Sequence, residues 1–164
     1  MKKLLYTDAV FSKNRIYRYA LWRVWDNSKP KVLFIGLNPS TADEIQDDPT
    51  IRRWIRYSKD WGYGGYIMGN IFAYRSTDPK KLLNIDDPIG PKNDYWLKKL
   101  SKEASLTIGA WGNHGKILDR GSQINNMLET FHCLKITKEG FPSHPLYLSS
   151  KLKPILFKET KSLW

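Results

Sequence analysis

The sequence predicts an α/β fold: three layers, α/β/α, around a central, mainly parallel four-stranded sheet, with an N-terminal β-strand or hairpin added. Three observations carry this reading. Apolar runs of strand type alternate with longer stretches of helical spacing. One run, Val32-Leu33-Phe34-Ile35, is continuously apolar, as a strand covered on both faces must be. Each run is followed by a loop dense in Gly, Pro, Asn, His, Arg and aromatic residues, and the loops after parallel strands gather on one rim, where such sheets bind ligands.

The elements follow in order. Residues 15–25 are rich in aromatic and β-branched types and read as a strand, at an edge or as half of a hairpin. Asp26 to Pro30 is a turn signal, and the run from Val32 ends at Gly36. Thr50 to Trp61 has Ile51, Trp54 and Ile55 at helical spacing, stopped by Gly62-Tyr63-Gly64-Gly65. Tyr66 to Phe72 is the second strand, and Lys80 to Asp87 a connection. Pro91 suits the first turn of a helix reaching Ala104, with Tyr95, Leu97 and Leu100 as its apolar stripe. Ser105 to Ala110 is the third strand, His114 to Leu128 a helix of mixed pattern, and Phe131 to Ile136 the fourth strand.

A length of 164 residues suits one domain, 1–164, with an N-terminal strand region at 1–30 and a basic tail at 151–164. Lys and Arg number 27 against 16 Asp and Glu, a net charge of +11, and 41% of residues are hydrophobic. The composition excludes wholesale disorder. The charge points to a polyanionic partner, nucleic acid first and DNA above RNA, with solubility as the plainer explanation. Nine units of the net charge of +11 fall in residues 1–31 and 151–164, which suggests a flanking surface for a phosphate backbone. Cys133 is the only cysteine, which excludes an internal disulfide and cysteine-ligated metal clusters and suits a reducing cytoplasm. No apolar run approaches a signal-peptide core or the ~20 residues of a membrane span, so a cytoplasmic protein without a membrane partner is expected.

Several chemistries fail on the residues. Gly115-Lys116 lacks the earlier glycine of a phosphate loop, because position 110 is Ala, and Ile117 stands where a magnesium-binding hydroxyl would be needed. No Gly-x-Gly-x-x-Gly follows a strand, and no Gly-x-Ser-x-Gly elbow occurs. His114, His132 and His144 are too few and too scattered for a His-rich site, so no metal and no cofactor is expected; a metal-assisted phosphohydrolase using Asp43, Asp48 and His114 is the third-ranked reading. Asp48-Pro49-Thr50 looks like a helix start, which gives the acidic cluster around Asp47 a structural explanation.

Four rim loops carry the remaining signal: Gly36-Leu37-Asn38-Pro39-Ser40, Asn70-Ile71-Phe72-Ala73-Tyr74-Arg75, Trp111-Gly112-Asn113-His114 and Ser143-His144-Pro145-Leu146. In this order they resemble the uracil-DNA glycosylase superfamily over roughly residues 30–150, most closely its mismatch-specific branch at the first loop. Ser40 replaces a glycine of that branch, Leu146 replaces a serine, and Ser76-Thr77 replaces two prolines. The whole string also resembles a bacterial and phage family described only as a domain of unknown function, with Gly-Leu-Asn-Pro-Ser-Thr-Ala-Asp and His-Pro-Leu-Tyr-Leu motifs; that likeness brings no activity.

The superfamily resemblance implies a glycosylase-like fold and cleavage of an N-glycosidic bond of a base, which can be a modified one, in nucleic acid or a nucleotide. It implies Asn38 and His144 as catalytic residues, the first positioning water and the second hydrogen-bonding the leaving base. Asn70 would read a base edge, and Phe72, Tyr74 or Trp111 would stack on the base. Arg75 and Arg120 would contact phosphate. Gly36, Pro39, Ser40, Asp43, Asp48, Asn113, His114 and Tyr147 complete the expected substrate-binding set. A non-catalytic nucleic-acid or nucleotide-binding protein is the alternative.

Overall fold

The computed structural model describes residues 5–43, 45–146 and 148–157. Tyr6–Phe11 (β1) and Arg18–Val24 (β2) form an antiparallel hairpin with a bulge between Val10 and Phe11. Lys31–Gly36 (β3) lies at the centre, parallel on one side to Gly65–Asn70 (β4) and on the other to Leu106–Gly109 (β5). His132–Cys133 (β6) is parallel to β5, and Ile155–Leu156 (β7) closes the far edge antiparallel to it. The order is β1-β2-β4-β3-β5-β6-β7.

The fold is α/β, but the sheet is mixed and seven-stranded rather than four-stranded and mainly parallel. The parallel strands β4-β3-β5-β6 occupy its middle, and both additions are antiparallel. The reason for the larger addition is visible in β4. All six of its residues are buried, so the backbone groups of both its edges need partners inside the protein. β3 serves one edge, and the hairpin serves the other by pairing Leu21 with Met68 and Val24 with Gly65. The smaller addition comes from the segment expected to be a basic surface tail. Its last residues, 158–164, lie outside the described residues.

Pro49–Asp60 (α1) starts where the sequence signals it. Asp48 Oδ1 accepts from Ile51 N at 2.9 Å, and Pro49 fills a first-turn position that needs no donor. Asn93–Glu103 (α2) begins two residues after Pro91, with Lys92 as its N-cap. The helix expected over 114–128 is broken. Asn113–Asp119 is a 3-10 stretch, Leu118 and Asp119 are left-handed at φ 53° and 54°, and only Arg120–Met127 (α3) is α-helical. The fourth strand shrinks to two residues.

Strand alternation sorts the core. Val32 and Phe34 face Ile51, Trp54 and Tyr57 of α1, while Leu33 and Ile35 face Leu97 and Leu100 of α2 and Ile124 of α3. Cys133 is buried in the second of these layers, and burial pushes its thiol up to about 11, which makes it an inert packing residue. The carboxyl ends of β3, β4 and β5 open together between the loops that follow them.

Candidate functional site

A cleft of about 330 Å³ lies at those strand ends. Its floor is set by a glycine. A Cβ on Gly36, the last residue of β3, would stand 2.9 Å from Asn70 Oδ1, 3.1 Å from Trp54 Cη2 and 3.4 Å from Met68 Cε. Only a residue without a side chain lets Asn70, at the end of neighbouring β4, lie across the floor. Asn70 is 1% exposed, and its Oδ1 has no hydrogen-bond partner among the described residues. A buried amide left unpaired is costly unless a ligand or water completes it.

Asn38 stands on the loop after β3. Its Nδ2 donates to Ser76 O at 2.8 Å and to Pro39 O at 3.2 Å. These bonds tie the loop to the chain beyond β4 and spend the donor end of the amide, leaving Oδ1 as an acceptor at the cleft. Across the cleft, His144 Nδ1 accepts from Leu146 N at 3.2 Å. The neutral ring therefore carries its proton on Nε2 and offers a donor. Burial lowers the His144 pKa below its ordinary 6.5, opposed by the charge of Asp48, so the ring is neutral at pH 7.

Trp54 and Trp111 supply apolar walls, and Gly112, in a left-handed conformation at φ 72°, turns the chain beneath His144. Ser40, Asp48, Asn113 and His114 complete the expected residues found here. Thr50, Met68, Ser76 and Thr77 also line the cleft, and the sequence reading missed them along with Trp54. Trp54 sits in the apolar stripe of α1 and reads as core; the Ser76-Thr77 departure from the superfamily pattern was the signal available for the other rim.

Other expected residues lie elsewhere. Phe72 is fully buried, with its N–H bonded to Leu37 O at 2.9 Å, so it packs the core and cannot stack on a ligand. Arg120 is 2% exposed; its Nε donates to Ile71 O at 2.8 Å and its Nη2 to Asp94 Oδ1 at 2.5 Å, so it joins α3 to α2 and is no phosphate contact. Pro39 is buried beneath the rim. Asp43 caps its own loop by accepting from Ile45 N and Gln46 N, and those bonds lower its pKa. Tyr74 and Arg75 line a neighbouring groove. Tyr147 lies outside the described residues.

Two arginines of the N-terminal region, expected as basic surface, are buried instead. Arg23 donates to Asp47 Oδ1 at 2.8 Å and to the carbonyls of Asp43 at 2.5 Å and Gln46 at 3.3 Å, holding the 43–47 loop from below. Arg18 reaches Ala42 O at 2.5 Å and Met68 Sδ at 3.2 Å with no carboxylate in hydrogen-bond contact among the described residues, and burial pulls its pKa down to about 10, still charged at neutral pH. Their charges position the loop that ends at Asp48.

Among the described residues no group of three or more His, Cys, Asp or Glu is placed to hold a metal, and no helix is long and apolar enough to cross a membrane. No curated protein and no solved structure matches the chain. A family model described as "Protein of unknown function (DUF1643)" matches residues 18–146, from the first buried arginine to the residue after His144-Pro145, and so takes in every cleft residue named above. With most of its length matched, the chain belongs to the DUF1643 family.

Proposed function

We propose that the cleft holds a nucleobase and that the protein hydrolyses the N-glycosidic bond joining that base to its sugar, in nucleic acid or a nucleotide. The observation that carries this reading is the set of unspent polar groups around one apolar-walled cleft: the buried Asn70 Oδ1, Asn38 Oδ1 and His144 Nε2–H. A flat heterocycle needs such an environment, with edge hydrogen bonds in its plane and apolar surface beside it. The glycosylase resemblance, which rests on the four loop motifs, points the same way.

The chemistry asks little of the protein. As the bond from C1′ to the base nitrogen breaks, its electron pair leaves with the base and the sugar gains oxocarbenium character. His144 Nε2–H would hydrogen-bond the departing base, stabilising its negative charge. Asn38 Oδ1 would accept a hydrogen bond from water and orient its oxygen toward C1′. The water hydroxyl ends on C1′ and its proton on the base. Asn70 would read the base edge with one donor and one acceptor.

The test is release of free base from a panel of oligonucleotides and nucleotides carrying natural and modified bases, with an abasic site left in each cleaved oligonucleotide. Asn38→Ala and His144→Ala are each expected to lower turnover by ~10²–10³-fold while thermal melting shows a folded protein. Binding of a panel member without release by the unaltered chain would instead establish the non-catalytic alternative. Full activity in both variants would overturn the assignment.

A further inference from the structure

We propose that the groove beside the cleft is a phosphate subsite, so that the ligand carries a phosphate monoester or diester next to the group held in the cleft. The nucleobase reading is needed only for what occupies the cleft; the anion site stands on its own residues. The groove has a volume of about 510 Å³, and Ser40, Ser76 and Thr77 line it and the cleft alike, so the two spaces share a wall. Arg15, Arg75 and Lys81 bring positive charge to it. Guanidinium, ammonium and hydroxyl donors together form the set that phosphate oxygens take, through charge-assisted hydrogen bonds.

Three features show that the charges are held in place. The guanidiniums of Arg15 and Arg75 both sit over the Phe11 ring, at 3.8 and 4.9 Å from its centroid. The ring's π face attracts each cation, which holds both guanidiniums at the wall of the groove. Arg15 adopts a left-handed backbone at φ 59°, pinned by its N–H to Ser12 O at 2.9 Å; strained backbone of this kind persists where the surrounding structure enforces it. Arg75 Nη1 donates to Arg15 O at 3.3 Å, which joins the two arginine segments. Asp43 lies outside the groove lining; its Oδ1 accepts from Ile45 N and Gln46 N, and its charge interacts with those of Arg15 and Arg75. Behind the rim, buried Arg18 adds a positive charge with no carboxylate in hydrogen-bond contact among the described residues.

The test is an NMR titration of the full ¹⁵N-labelled chain with inorganic phosphate, 2′-deoxyuridine, its 5′-monophosphate and a six-nucleotide single-stranded DNA. Phosphate and the monophosphate are expected to shift the amide signals of Arg75, Ser76 and Thr77 saturably. The double variant Arg75→Ala/Lys81→Ala, altered on the exposed rim, is expected to weaken both by at least about tenfold. Groove shifts without any response to deoxyuridine would uphold the anion site and count against uracil in the cleft. Tighter binding of the hexanucleotide, with a salt slope near ~0.7 per phosphate engaged, assigns the phosphate to a strand; equal or weaker binding assigns it to a free nucleotide. No saturable shift at 74–77 with either phosphate or the monophosphate, or undiminished shifts in the double variant, overturns the proposal.

Discussion

Gly36→Ala tests the floor of the cleft directly. The new methyl would meet Asn70 Oδ1 at 2.9 Å, the Trp54 ring at 3.1 Å and Met68 Cε at 3.4 Å. All three neighbours are buried, and Trp54, carried by α1, stacks on Phe34, whose ring lies 4.7 Å from its own. The methyl cannot be accommodated by swinging a flexible surface chain aside. Overpacking of this kind costs about 1–3 kcal/mol. Replacing a strand glycine with alanine returns about 0.5–1 kcal/mol through the unfolded chain. The expected balance lies between about 0 and 2.5 kcal/mol of destabilisation, a fall of up to about 10 °C in Tm for a chain of this size. Urea unfolding followed by tryptophan fluorescence measures it, and the Asn70 side-chain amide resonance reports the displaced floor. Gly62→Ala is the contrasting variant: nothing lies within 4 Å of its added Cβ, and its φ of +83° makes any cost a matter of backbone strain alone. Unchanged stability together with an unmoved Asn70 resonance in Gly36→Ala would refute the close approach on which the site geometry depends.

Three further outcomes are expected. Arg23→Met strips the donors from Asp47 and from two loop carbonyls; because Asp47 is 28% exposed, the cost falls below that of a fully buried pair, at about 2–4 kcal/mol, measured by urea unfolding. A midpoint equal to that of the original chain would remove the buried clamp from the account. His144 has a folded pKa below 6.5, so the unfolded chain takes up its proton first as pH falls; the histidine's contribution to stability is present above pH 6.5 and is lost as pH drops through the folded value. Asp48→Asn deletes the charge that opposes this shift and is expected to lower the pKa further, read from the His144 ring protons; a rise would contradict the placement of Asp48.

Much of the architecture was legible because its signals are local. The apolar run at 32–35 needs burial on both sides, and Asp48-Pro49 announces α1 through a cap and a missing donor. An N-terminal hairpin was among the expectations, but its place against β4 was not legible, nor was β7, since their partners are set by which sheet edges stand unpaired. The break at Leu118 and Asp119 was hidden because neither residue favours a left-handed backbone. Within the site, rim-loop logic gathered Asn38, Asn70, Trp111 and His144, whose positions follow from strand ends. It failed for Phe72, which lies beyond the end of β4, where strand parity no longer says which way a side chain points.

The sequence by itself determined the α/β alternation, the absence of an internal disulfide and the net charge of +11. The tertiary structure alone decided what that charge does. Arg23 meets Asp47 across 24 positions and Arg120 meets Asp94 across 26, while Arg18 is buried and bonded to Ala42 O and Met68 Sδ. A charge count assigns every arginine to the surface, because burial and pairing are properties of contacts between distant segments. Three of the charges expected to face a polyanion instead lock the loops and helices around the cleft, and Arg15, Arg75 and Lys81 remain at the groove where the proposed phosphate would sit.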